Sequence, residues 1–236
     1  DRMDSDWKNN RLRFEKKFKY TDVNFCTTSP DIMNFGNKNK VYYMPNPVDK
    51  SLDNLKIFNN KNSLNDVFFA MSHGVHRAVL KKGKYDIREN FINKLIKKTP
   101  EVKYDLYGLN SIQPIWSDNY LNAISKSNMG LNLSQGKSIK YYSSDRISQM
   151  MGNGLLTFVD NKTQLNDFFT NKEMVFYNDV NDLADKIIFF KKNNKSRSLI
   201  AKAGWIKYTK YFNSNIIAKY IICKTLELNK EKFYWE

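Results

Sequence analysis

Residues 143–146 form a polar cluster, Ser143, Ser144, Asp145 and Arg146, directly before a short apolar segment that ends at Gly154. Serine and aspartate are frequent N-cap residues, so the cluster predicts the start of a helix. The first turn of a helix carries unpaired backbone N–H groups and the positive end of the helix dipole, and both favour a bound anion. Arg146 adds a guanidinium that binds phosphate, or else pairs with a carboxylate as a structural ion pair. The stretch therefore predicts a diphosphate site.

A second loop with phosphate-binding chemistry follows the apolar strand predicted for residues 66–72. Gly74 permits close approach of the backbone to a ligand, and Arg77 and Lys82 supply positive charge. This composition favours a phosphate cradle. A solvated basic loop has the same composition, and that alternative stays open.

A third loop contains aromatic residues. Tyr107 and Gly108 end the strand predicted for residues 102–107, and Trp116 lies in the loop that follows. Aromatic rings at this place could hold a nucleobase by stacking. Core packing and a tight turn would explain the same three residues equally well.

The elements that must position these loops alternate regularly along the chain. From residue 65 onward, short apolar strands are each followed by a helical pattern, and residues 161–169 are one of these predicted helices. This alternation predicts an α/β fold, with a mostly parallel sheet and helices on both faces. Ligands of such sheets bind at the carboxyl ends of the strands, which is where all three loops begin.

The composition limits the classes of partner. The 236 residues carry a net charge of +15, which indicates phosphate-bearing ligands, nucleic acid or an anionic membrane surface. A codon bias towards lysine and asparagine would raise the charge without any such role. The basic residues are dispersed and no nucleic-acid-reading motif is visible, which argues against nucleic acid. Two distant cysteines, Cys26 and Cys223, fit a reducing compartment. We therefore expect a cytoplasmic protein, with peripheral contact to the inner face of a membrane left open.

The order of four segments resembles the C-terminal half of the GT-B glycosyltransferases, nearest to the CgeB-like and group 1 type. The segments are VYYMPNPVD, RISQMMGNGLLTF, EMVFYNDVNDLADKI and SLIAKAGWIKYTKYF. The resemblance implies that residues 51–236 form a Rossmann-like nucleotide-sugar binding domain with C-terminal helices. It also implies that residues 1–50 are the end of an acceptor-side domain and its linker, in a partial chain.

The resemblance implies roles for single residues. Arg146 matches the arginine that contacts the nucleotide-sugar, and the Tyr107–Gly108 turn lies near the base. Gln149 stands where many members have a glutamate that grips ribose or sugar hydroxyls, so this chain departs from the pattern there. The residues expected at the donor diphosphate are Gly74, Arg77, Lys82, Ser143, Ser144, Asp145 and Arg146.

The implied activity is transfer of a sugar from a nucleotide-diphosphate sugar to a glycan, lipid or protein acceptor. The resemblance implies no cofactor and no metal, because helix dipoles and basic side chains stabilise the leaving diphosphate. It leaves the catalytic residues unassigned, since the acceptor site belongs largely to the other domain. One alternative is a non-catalytic basic module on the same fold that binds nucleic acid or anionic surfaces. Another is a different enzyme on a doubly wound sheet, such as a sugar-phosphate epimerase.

Overall fold

A computed structural model describes residues 12, 14–33, 40–72, 86–228 and 231–236 of the chain. Within these ranges, no helix is both long enough and apolar enough to cross a membrane. The loop residues Gly74, Arg77 and Lys82 lie outside them. Their predicted contact with a diphosphate therefore stays a prediction.

The larger of two sheets has five strands, all parallel, in the order β4-β3-β5-β6-β7. The strands are β3 (Asn65–Ala70), β4 (Tyr104–Tyr107), β5 (Ser127–Asn132), β6 (Leu156–Asp160) and β7 (Val175–Tyr177). The central strands are apolar and buried on both faces, as the side chains of Val67, Phe68 and Phe69 show. Both the parallel sheet and its cover of helices confirm the predicted Rossmann-like fold.

Helices cover both faces of this sheet. They are α2 (Ile87–Lys98), α3 (Ser117–Ile124), α4 (Arg146–Asn153), α5 (Val180–Lys192) and α6 (Asn194–Tyr211); a short α1 (Pro30–Met33) precedes them and α7 (Ser214–Thr225) follows. Aspartate or asparagine side chains cap three of these helices at the N-terminus, namely Asp86 for α2, Asp179 for α5 and Asn213 for α7.

The smaller sheet pairs β1 (Asn24–Cys26) with β2 (Val41–Tyr43), again in parallel. Helix α7 packs against it, and the hydroxyl of Tyr220 donates a hydrogen bond of 3.0 Å to the carbonyl oxygen of Tyr43. The C-terminal helix and the first strands thus share one aromatic core. The predicted boundary at residue 50 between two domains stays a prediction.

One predicted helix is wrong. The pattern of residues 161–169 predicts a helix, but the chain forms two short 3-10 turns there, Asn161–Thr163 and Leu165–Asp167. Gln164 separates them with a left-handed backbone, at φ +53°. A single residue of this conformation ends one helical turn and starts another, so a continuous helix cannot form.

The strand order reverses between β3 and β5. The chain leaves β3 to form β4 on one side, and then crosses over to form β5 on the other side. In open parallel sheets, such a switch point opens a crevice at the carboxyl ends of the two strands, and ligands bind there. The fold therefore directs the search for a site to the end of β3.

Candidate functional site

A cleft of about 630 Å³ lies at this switch point. Its floor is the end of β3, at Ala70, Met71 and Ser72, and the starts of α3 and α4 form two of its walls. Residues 47–53, in the connector that follows β2, contribute the remaining wall. The other described residues that line the cleft are Pro47, Asp49, Leu52, Asp53, Pro114, Ile115, Trp116, Ser117, Asp118, Tyr120, Leu121, Ser144, Asp145, Arg146, Ser148 and Gln149.

Arg146 begins α4 and is held in place from two sides. Its Nη2 donates a hydrogen bond of 2.6 Å to the carbonyl oxygen of Leu133, and its guanidinium carbon lies 5.3 Å from the ring centre of Phe69. Its Nε is buried and has no hydrogen-bond partner in the described part of the chain. Burial lowers the pKa of Arg146 to about 10, so the group stays protonated at neutral pH. A fixed cation with an unused donor is well suited to an anionic ligand.

Among the described residues, no side chain caps the start of α4, although the sequence predicts three capping residues there. Asp145 occupies the N-cap position with a helical backbone, at φ −54° and ψ −20°, and its side chain accepts no capping bond. A capping residue needs an extended backbone to bring its oxygen back to the first-turn N–H groups. The prediction of a helix start is confirmed, but its N-cap side chain does not cap the first turn, and the N–H of Ile147 donates a hydrogen bond of 3.0 Å to the carbonyl oxygen of Ser144 instead.

The two serines of the cluster point to different places. The Ser144 hydroxyl donates a hydrogen bond of 3.0 Å to Oδ1 of Asn132 at the end of β5, and Ser144 lines the cleft. Ser143 is buried, and its Oγ accepts a hydrogen bond of 3.1 Å from the amide of Asn46 in the connector. It faces a small second cavity beside Phe168 and not the cleft. The structure therefore separates Ser143 from the other three members of its cluster.

The start of α3 is the second helix end in the cleft. Trp116 holds its N-cap position, caps no N–H group with its side chain, and is 47% exposed. The next residue, Ser117, has a left-handed backbone at φ +53°. This sharp turn brings an exposed indole and an open helix end to the same wall.

Tyr120 and Asp53 are cleft residues that the sequence does not single out. Tyr120 is only 8% exposed, and its hydroxyl has no hydrogen-bond partner among the described residues. Burial raises its pKa, although the nearby charge of Arg146 opposes the shift. Asp53 is half-buried, and burial raises its pKa as well. Both are polar groups held in the cleft wall.

Gln149 lines the cleft one helical turn after Arg146, on the same face of α4. Tyr107 and Gly108 do not line it. The Tyr107 ring packs 6.1 Å from the ring of Phe68, and Gly108 forms the turn against Met71. Their predicted position beside a base stays a prediction, and of the loop after β4 it is Pro114, Ile115 and Trp116 that line the cleft.

Comparisons with known proteins agree on the fold. The family described as glycosyl transferase-like matches residues 87–222, more than half of the chain. No match was found among the curated proteins.

Solved structures of glycosyltransferases share this architecture. HepE of Anabaena, in complex with UDP and glucose, superimposes with a TM-score of 0.67 at 12% identity, over 94% of this chain and 67% of HepE. An alpha-glucosyltransferase in complex with UDP and a DNA 13-mer superimposes with a TM-score of 0.65 at 14% identity, over 92% of this chain and 69% of the glucosyltransferase. TarM superimposes with a TM-score of 0.63 at 14% identity, over 92% of this chain but only 46% of the TarM chain. The chain thus spans about two thirds of the first two relatives and less than half of TarM.

The family match and the shared architecture agree with the resemblance seen in the sequence, whereas the CgeB-like subtype stays a prediction. The chain belongs to the glycosyl transferase-like family and has the GT-B fold.

Proposed function

We propose that the cleft binds the nucleoside diphosphate part of a nucleotide-sugar, and that the protein transfers the sugar to an acceptor. The observation that carries this proposal is Arg146, a fixed and partly desolvated cation at the start of α4. It lies at the switch point of a parallel sheet, where ligands of such folds bind. HepE and the alpha-glucosyltransferase were both solved with UDP, and HepE also with UDP-glucose.

The chemistry that the cleft offers is stabilisation of a leaving group. Transfer breaks the bond between the anomeric carbon of the sugar and a phosphate oxygen, and the bonding electrons leave with that oxygen. The guanidinium of Arg146 and the positive end of the α4 helix dipole would balance this charge as it develops. The loop residues Gly74, Arg77 and Lys82 lie between β3 and α2 in the sequence, and we assign them to the same diphosphate.

The other walls of the cleft suit the remainder of the donor. The exposed indole of Trp116 offers a flat apolar surface for a nucleobase. Gln149 and Ser144 offer neutral hydrogen-bonding groups nearby. The acceptor, a contact with a membrane surface and a cytoplasmic location stay predictions, as does the alternative of a non-catalytic basic module.

A thermal-shift screen with UDP, GDP, ADP and CMP, and with their sugar conjugates, tests the proposal. One nucleotide series should raise the melting temperature by about 5 to 10 °C at a hundredfold excess over its Kd. The shift should be the same with and without EDTA, since we propose that no metal is needed. Failure of every nucleotide to shift the melting temperature would contradict the proposed function.

A further inference from the structure

Recognition of a sugar ring requires acceptors for its hydroxyl groups. A carboxylate can accept from two neighbouring hydroxyls at once and forms the stronger, charge-assisted bonds. Gln149 brings only one acceptor oxygen, which carries no charge. At this position α4 therefore offers only a neutral acceptor, and the carboxylates of the described lining are those of Asp49, Asp53, Asp118 and Asp145.

Asp53 lies beside this face, although it is distant in sequence. Its Oδ1 accepts a hydrogen bond of 2.8 Å from Nδ2 of Asn153, the last residue of α4. The same Nδ2 donates a bond of 2.9 Å to the carbonyl oxygen of Gln149. One amide nitrogen thus bridges the carboxylate of Asp53 and the backbone of Gln149, and both residues line the cleft.

The position of Asp53 is fixed tightly. Asn153 is fully buried, and its Oδ1 accepts a bond of 3.3 Å from the backbone N–H of Leu55. A Cβ on Gly152 would lie 2.9 Å from the Cβ of Asp53, so the connector and α4 touch where only glycine leaves space. The second oxygen of Asp53 accepts a bond of 3.1 Å from the backbone N–H of Asp49. Such a site holds a carboxylate still before any ligand arrives.

The carboxylate retains capacity for a ligand. A carboxylate has about four lone-pair sites, and the described residues occupy one on each oxygen of Asp53. Across the same cleft, the Tyr120 hydroxyl is more than nine-tenths buried and has no partner among the described residues. The carboxylate of Asp53 and the hydroxyl of Tyr120 therefore both retain unused hydrogen-bonding capacity in the cleft wall.

We propose that Asp53 accepts hydrogen bonds from neighbouring hydroxyls of the nucleotide-sugar, and so supplies the charged acceptor that Gln149 does not. The inference rests on the proposed function, since it concerns the same cleft. The hydroxyls belong either to the ribose or to the transferred sugar, and both offer the same chemistry. Asn153 is then a positioning residue that holds Asp53 against α4.

Matched ligands and one near-isosteric variant test the inference. We would measure by calorimetry the affinities of wild type and Asp53→Asn for UDP, 2′-deoxy-UDP and UDP-glucose, and for the ADP and GDP series. Asparagine keeps the size of the side chain and the acceptor for Asn153. Wild type should prefer one hydroxyl-bearing ligand over its counterpart by about tenfold, and Asp53→Asn should reduce that preference to within about twofold.

Two ligand comparisons distinguish binding of the ribose from binding of the transferred sugar. Loss of the UDP preference over 2′-deoxy-UDP would assign Asp53 to the ribose, whereas loss of the UDP-glucose preference over UDP would assign it to the sugar. Preferences that are unchanged in Asp53→Asn would overturn the inference and leave the proposed function intact. Failure of wild type to bind any of these ligands would overturn both.

Two controls exclude indirect effects. Asp185→Asn removes the same charge from an exposed position on α5, outside the cleft, and should keep the wild-type preferences. Asp53→Glu restores the charge on a longer stem and should recover part of the preference. A purely structural role for Asp53 would change the affinities for all ligands in parallel and would leave their ratios unchanged.

Discussion

Gly108 touches Met71 so closely that a Cβ on Gly108 would lie 1.7 Å from the carbonyl oxygen of Met71. Gly108 also has a left-handed backbone, at φ +80°. This contact joins the end of β4 to the end of β3, which is the floor of the cleft. The glycine that the sequence indicates as a binding residue thus has a clear packing role.

We expect Gly108→Ala to lower the free energy of unfolding by more than about 2 kcal/mol, because the methyl group must displace backbone as well as adopt a strained φ. Gly136→Ala is the matched control. Gly136 has nearly the same φ, +82°, but a Cβ there meets no atom within 4 Å. Gly136→Ala should lower the free energy of unfolding by only about 1 kcal/mol, because it introduces the strained φ without a steric clash. Urea denaturation measures both, and equal costs would contradict the packing argument.

Trp116→Ala should weaken binding of a nucleoside diphosphate by about 1 to 3 kcal/mol, because the exposed indole offers the base a stacking surface. Pyrophosphate has no base and should bind both proteins equally. Calorimetric titration with the two ligands separates stacking from any effect on the diphosphate. An equal loss of affinity for both ligands would show that Trp116 acts on the shape of the cleft instead.

The raised pKa of Asp53 predicts a pH-dependent difference in stability. Burial raises this pKa above its ordinary value of 3.8, and the nearby charge of Asp49 adds to the shift. The native state then binds the proton more tightly than the unfolded state, so the contribution of Asp53 to stability falls as the pH rises through its native pKa. The phenols of Tyr120 and Tyr208, which sense its charge, also have raised pKa values and stay neutral throughout.

Asparagine at position 53 removes this titration. The melting temperature of Asp53→Asn relative to wild type should therefore increase between about pH 4 and pH 7. Scanning fluorimetry of both proteins at matched ionic strength measures the difference. A difference that is constant with pH, or that decreases, would contradict the direction of the shift.

Most of the large sheet could be predicted from local patterns. Apolar runs such as that of β3 and the alternation of strands with helices are properties of contiguous residues, and they also imply where the loops meet. The start of α4 at Arg146 could be predicted in the same way. The interruption at residues 161–169 could not be predicted, because glutamine, the residue at position 164, is not a residue type that indicates a left-handed backbone.

The composition of the cleft depended on long-range contacts. Asp53 and Asn153 are 100 residues apart in sequence, and no local pattern links them. Whether the Tyr120 hydroxyl finds a partner is decided by the packing of α3 on the sheet. Long-range packing also decides the position of Ser143. Its hydroxyl accepts a hydrogen bond from Asn46, 97 positions away, and therefore does not line the cleft.

Titration calorimetry of nucleoside diphosphates into wild type and Arg146→Ala tests the central claim most directly. Lys192→Ala, which removes a positive charge at the exposed end of α5, controls for the net charge of the protein. Circular dichroism would confirm that Arg146→Ala is folded, since the variant loses the bond to Leu133. We predict that wild type and Lys192→Ala bind one nucleoside diphosphate equally well and that Arg146→Ala binds it about 10- to 100-fold more weakly. Equal affinity of all three proteins for that ligand would contradict the account.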